Sequence, residues 1–89
     1  TAEKPVERLR DGSLIIDASL NIKDLRDEHG LPFPESPTYE TLAGFMLDQL
    51  QRMPKAGDII IYQGKKLTIV DMDGRRLARI KVEELPATH

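Results

Sequence analysis

Residues 54–84, PKAGDIIIYQGKKLTIVDMDGRRLARIKVEE, decide the fold because they hold three β-rich runs separated by two short glycine turns. The turn dipeptides are Gln63-Gly64 and Asp73-Gly74, and loops this short connect neighbouring antiparallel strands. The pattern therefore predicts a continuous antiparallel meander in the second half of the chain.

Alternation of apolar and polar residues assigns faces to these strands. In the first strand of the meander Ile59 and Ile61 share one face, and Ile60 and Tyr62 share the other. The middle strand is apolar on both faces, which is typical of a central strand or of a β-bulge. In the last strand one face is apolar and the other is basic; the apolar set is Ala78, Ile80 and Val82, and the basic set is Arg75, Arg79 and Lys81.

The first half of the chain predicts a hairpin followed by a short helix. Residues 6–10 and 13–18 flank Asp11-Gly12, and Leu14, Ile16 and Ala18 are expected to face the core. Residues 21–29 predict a helix that Ser19 or Asn21 caps at its start and Gly30 caps at its end.

A proline-rich connector, residues 31–37, leads to the main helix, and Phe33 is expected to anchor this connector in the core. The main helix is predicted from Tyr39 or Thr41 to Met53, with Pro54 ending it. Gly44 costs the helix about 1 kcal/mol relative to alanine, which indicates close approach of another backbone, such as the first hairpin. The helix carries an apolar stripe of Leu42, Phe45, Met46, Leu50 and Met53.

Together these segments predict an α+β fold in the order ββααβββ, a mostly antiparallel sheet with two helices on one face. We expect a flexible linker at residues 1–5, one domain at residues 6–85 and a tail at residues 86–89. With 89 residues the chain builds one core but no deep enclosed cavity.

The composition excludes several classes of function. The chain has no cysteine and only two histidines, without the spacing of a metal site. No paired acid and base, nucleophile elbow or phosphate loop is present, so an enzyme is not expected. A net charge of −2 and the lack of stacking aromatics beside the basic residues argue against nucleic acid as a partner.

The basic face of the last strand is the one feature of the sequence that suggests a binding site. A solvated sheet surface is the commoner explanation for such a face. The functional alternative is that Arg75, Arg79 and Lys81 dock an anion such as the phosphates of a nucleotide.

Taken in order, the segments resemble a known family. The succession is Asp11-Gly12-Ser13, residues 41–44 (TLAG), residues 54–58 (PKAGD) and residues 73–76 (DGRR). This set is similar to the transporter-associated domain of the CorC/HlyC family, found in magnesium and cobalt efflux proteins and in hemolysin-like membrane proteins. The resemblance covers roughly residues 6–85.

The resemblance implies a non-catalytic regulatory domain on the cytoplasmic side of the inner membrane. Its partners would be a membrane domain and a pair of CBS domains of the same longer protein, which could also form a homodimer. Family analogy groups the fold with FAD-binding domains, so FAD or an adenine nucleotide is an alternative ligand for the basic face. A potassium/proton antiporter is an alternative parent protein.

Overall fold

The computed structural model describes residues 5–86, and it confirms the predicted order of two strands, two helices and three strands. The elements are β1 (Val6–Arg8), β2 (Leu14–Asp17), α1 (Ile22–His29), α2 (Leu42–Leu50), β3 (Ile59–Tyr62), β4 (Lys65–Asp73) and β5 (Arg76–Glu84). All strand pairs are antiparallel, in the spatial order β1-β2-β5-β4-β3. The predicted linker and tail lie mostly outside the described residues.

The core lies between one face of the sheet and the two helices, as predicted. Phe33 is fully buried, which confirms that it anchors the proline-rich connector. Its ring centroid lies 5.2 Å from that of Phe45 on α2. Further fully buried side chains come from both layers: Ile16, Leu67, Ile69 and Ile80 from the sheet, and Leu25, Leu42 and Met46 from the helices.

Two β-bulges interrupt the pairing of β4 with β5. The register steps from Ile69↔Ile80 to Asp71↔Arg79 and then to Met72↔Leu77. Val70 on β4 and Ala78 on β5 are therefore extra residues, and each changes which face the following residues occupy. The prediction that Ala78 shares a face with Ile80 in a regular alternation was wrong, because Leu77 takes the buried position after the bulge.

The structure confirms one of the three predicted turns and changes the other two. Gln63 and Gly64 form the β3–β4 turn with φ angles of 52° and 76°, as predicted. The next turn consists of Gly74 and Arg75, because Asp73 already pairs with Arg76. The first turn is also longer than the predicted Asp11-Gly12 dipeptide. Five residues, 9–13, connect β1 to β2.

The helix ends follow local hydrogen bonds. Asn21 caps α1 by accepting from the Lys23 N–H, and Gly30 closes it with a left-handed φ of 65°. Thr41 caps α2 in the same way, by accepting from Gly44 N–H. The predicted end of α2 at Met53 was wrong, since Gln51 adopts a left-handed φ of 57° and ends the helix after Leu50.

Two details of the α2 prediction also change. Because the helix ends early, Met53 is 61% exposed and does not belong to the apolar stripe. The close neighbour of Gly44 is Tyr39 and not the first hairpin. A Cβ built on Gly44 would lie 2.6 Å from the Cβ of Tyr39.

Candidate interaction surface

A shallow groove lies where the start of α2 meets the start of β5. Its volume is about 260 Å³, and its floor is mainly apolar. We call it the arginine groove, after the two basic residues at its margin. It is lined by Ser19, Thr41, Ala43, Leu47, Arg75, Arg76 and Leu77.

Backbone hydrogen bonds fix the walls of this groove. The Ala43 N–H donates to the Ala18 carbonyl at 2.8 Å, which ties the first turn of α2 to the end of β2. The Ala18 N–H in turn donates to the carbonyl of the bulge residue Ala78 at 2.9 Å. The bulge directs Leu77 toward the helices, where it is 8% exposed and forms part of the groove. The groove is thus a product of the fold and not of a mobile loop.

The charge of the groove is positive. Arg75 sits in the β4–β5 turn and Arg76 begins β5. Among residues 5–86 neither guanidinium forms an ion pair or a hydrogen bond with another side chain. None of the residues that line the groove is acidic. Within residues 5–86, two guanidinium groups therefore border an apolar surface without a direct ion pair, and Arg76 also borders the acidic depression on the other side.

The predicted basic face is divided in the structure. Arg79 and Lys81 do share the outer face of the sheet, which no described helix covers. Arg79 lies opposite Asp17 on β2 and Asp71 on β4. Arg75 lies in the turn and borders the arginine groove, so its predicted place on the strand face was wrong. Docking of FAD or of another nucleotide on Arg75, Arg79 and Lys81 stays a prediction.

The outer face of the sheet also carries apolar residues near its β3 edge. Ile59 and Ile61 are 48% and 57% exposed, and the bulge residue Val70 is 42% exposed. The sequence predicted that Ile59 and Ile61 share a face, and the register confirms it.

The ionisable groups give no sign of catalysis. No group of three or more histidine, aspartate or glutamate side chains within the described part of the chain could hold a metal ion. The side-chain hydrogen bond from Ser13, together with its N–H, lowers the pKa of Asp11 in the first turn. Burial raises the pKa of Tyr39, whose hydroxyl donates to the Pro34 carbonyl. These shifts arise from turns and packing, not from a cleft.

Asp58 is the clearest example of such a structural carboxylate. Arg52 donates two hydrogen bonds of 3.0 Å to it, and the Lys55 N–H donates a third of 2.8 Å. The bonds from Arg52, followed by that from Lys55, hold the pKa of Asp58 below its usual value of 3.8. This clamp connects the segment after α2 to the start of β3.

Asp58→Asn is expected to lower the melting temperature at neutral pH. Because the folded pKa is depressed, the charged form stabilises the fold above pH about 4, and this stabilisation is lost as the pH falls further. The difference in melting temperature between variant and wild type should therefore shrink between about pH 7 and about pH 3. Asp27→Asn, at an exposed position on α1, is the matched control. A difference that does not change with pH would contradict the role of the charge.

Sequence reasoning missed the groove itself. Leu47 lies off the apolar stripe of α2 and is 44% exposed, and this exposed leucine was the available signal. Arg76 was not assigned a role, although it follows Arg75 directly in the sequence. Leu77 could not be identified, because only the bulge at Ala78 brings it to this side of the sheet.

Comparison with known proteins gives a consistent result. A family model described as "Transporter associated domain" (CorC_HlyC) matches residues 7–86. The polyamine export protein of Salmonella typhimurium is 38% identical over 77 residues, which cover 86% of this chain and 16% of that protein. The chain spans about a fifth or less of the length of the first curated relatives it matches.

Solved structures share the fold over nearly the whole chain. The CorC_HlyC domain of a Xylella fastidiosa hemolysin is 30% identical with a TM-score of 0.81, covering 96% of this chain and 100% of that one. The transporter associated domain of a CBS domain protein from Porphyromonas gingivalis is 29% identical with a TM-score of 0.77, covering 93% and 100%. No helix among the described residues is long and apolar enough to span a bilayer.

Proposed function

The chain belongs to the CorC_HlyC family of transporter associated domains, and we propose that it is a non-catalytic accessory domain that modulates cation efflux by a longer membrane protein. The observation that carries this proposal is the family match over residues 7–86, which includes almost every residue of the fold.

The longer protein would place this domain on the cytoplasmic side of the inner membrane. In this proposal a membrane domain and a CBS pair precede Thr1. Two observations support the arrangement. The chain matches only 16% of the Salmonella polyamine export protein, so relatives carry much additional sequence. The structurally similar Porphyromonas domain comes from a CBS domain protein.

The cargo we propose is a small multivalent cation. The resemblance noted in the sequence implies magnesium or cobalt, and the relative from Salmonella is named for polyamine export. Both kinds of cargo carry two or more positive charges. Magnesium and cobalt efflux is our first candidate, and polyamine efflux is the alternative that the relative supports.

Deletion of residues 6–85 from the longer protein tests the proposal. Cells that lack other exporters would be loaded with magnesium, cobalt or a polyamine, and the loss of each cation would be followed over time. We expect efflux of one cargo to slow while the abundance of the longer protein in the membrane is unchanged. Unchanged efflux of all three at equal abundance would refute an accessory role in transport.

A further inference from the structure

We propose that the arginine groove docks an acidic, apolar segment of the longer protein, contributed by the part that precedes this domain. The inference rests on the proposed function, which places other domains before Thr1. It adds the surface used and the chemistry of the segment that would bind there. Three features of the described residues support it: an exposed leucine, two unpaired arginines and the position where the chain enters the fold.

The apolar part of the groove is suited to bind an apolar side chain of the docked segment. Leu47 is 44% exposed although it lies on a helix whose neighbouring residues Phe45 and Met46 are fully buried. Ala43 and Leu77 line the groove with it, and the floor of the groove is mainly apolar. Covering this floor removes apolar surface from water, which favours association with an apolar partner.

The charged part of the groove is suited to bind a carboxylate of the docked segment. Arginine presents a planar set of donors that binds carboxylates through paired hydrogen bonds. Arg75 and Arg76 have no ion pair among the described residues, and no acidic residue lines the groove. The neighbouring depression on the sheet differs, because Asp17, Asp71 and Asp73 line it together with Arg76 and Arg79. An acidic segment is therefore favoured in the groove over the adjacent depression.

The position of the first described residue makes the preceding part of the protein the best occupant. The Pro5 carbonyl accepts a hydrogen bond of 2.8 Å from the Asp17 N–H. Asp17 ends β2, and Ser19, two residues later, lines the groove. Pro5, the first described residue, therefore lies at the same end of the sheet as the groove. A short connection suffices for a preceding segment to reach it.

Cysteine labelling can test the docking, because the chain contains no native cysteine. Ser19→Cys would place a thiol in the groove without removing Leu47, and Ile61→Cys, at a position that is 57% exposed on the outer sheet face, is the control. The rate of maleimide labelling would be measured in the isolated 89-residue chain and in the longer protein. The other cysteines of the longer protein would be replaced, and an uncharged detergent would be used. The isolated chain is a valid reference, because the Xylella domain of the same extent was solved as a separate chain.

We expect Ser19→Cys to be labelled at least about tenfold more slowly in the longer protein, as a docked state populated at about 90% requires. Labelling of Ile61→Cys should not change. Adding Arg75→Glu and Arg76→Glu should restore the fast rate, whereas Arg8→Glu and Arg10→Glu, in and just after β1, should not. The thermal unfolding of each variant domain verifies that it is folded.

Several results would overturn the docking proposal. Equal labelling of Ser19→Cys in both proteins would show that nothing covers the groove. Slow labelling that survives the charge reversal would exclude an acidic segment. Protection that appears in the isolated chain as its concentration rises would identify a second copy instead, and protection that requires anionic lipid vesicles would identify a membrane surface. Each outcome is independent of the efflux assay, so docking and the accessory role can fail separately.

Discussion

Phe45→Ala is expected to remove a large part of the stability of this domain. The Phe45 side chain is fully buried, and its ring centroid lies 5.1 Å from that of Tyr62, 5.2 Å from that of Phe33 and 5.8 Å from that of Tyr39. Removing a buried phenyl ring costs about 3–5 kcal/mol, because the surrounding groups cannot close the cavity. A domain of 89 residues has a total stability of about 4–13 kcal/mol.

Thermal unfolding followed by circular dichroism measures this effect. For a domain of this size 1 kcal/mol corresponds to about 4–8 °C, so the melting temperature should fall by at least about 12 °C. Leu47→Ala is the control on the same helix, because Leu47 is 44% exposed and should change the melting temperature much less. Equal effects of the two substitutions would mean that the aromatic cluster does not hold the helix to the sheet.

Gly44→Ala is expected to destabilise the domain although alanine is the better helix former. The new methyl group would lie 2.6 Å from the Cβ of Tyr39, an atom that cannot move without its backbone. Overpacking of this kind costs about 1–3 kcal/mol, and the helix propensity returns about 1 kcal/mol at most. We therefore expect a net loss of stability and a lower melting temperature.

A second substitution at Tyr39 identifies the cause. In a Tyr39→Gly background the clash is absent, so Gly44→Ala should become neutral or stabilising. In a Tyr39→Ala background the Cβ remains, so the loss should persist. If Gly44→Ala is equally unfavourable in both backgrounds, the contact with Tyr39 is not its cause. The free energy of unfolding in urea is compared with and without Gly44→Ala in the wild type and in both Tyr39 backgrounds.

Much of the architecture was predictable because it depends on local signals. The dipeptide Gln63-Gly64 has the positive φ angles of a hairpin turn, and Asn21, Thr41 and Gly30 cap helices with the chemistry expected of them. Alternation placed Ile16 and Ile80 in the core. These features need only neighbouring residues, so a single sequence is sufficient to predict them.

The errors occur where a contact distant in the chain or a single backbone angle decides the structure. Gln51 ends α2 by adopting a left-handed conformation that is uncommon for glutamine. The apolar pattern of β4 predicted a central strand or a bulge, but the position of that bulge at Val70 and the bulge at Ala78 depend on how β4 and β5 fit together. The arginine groove depends on both the bulge at Ala78 and the packing of α2. The sequence therefore predicted a binding role for only one of the residues that line it, Arg75.

The last strand of the chain lies at the centre of the sheet, and this has a consequence for biosynthesis. β5 separates the early β1–β2 hairpin from the β3–β4 hairpin, and it contacts both. A ribosome that has not yet released β5 holds a chain whose two hairpins cannot join. Completion of the core therefore waits until translation has passed Glu84. Until then the apolar side of each hairpin is available to chaperones. A stop codon that removes β5 would leave two hairpins without the strand that pairs with both of them.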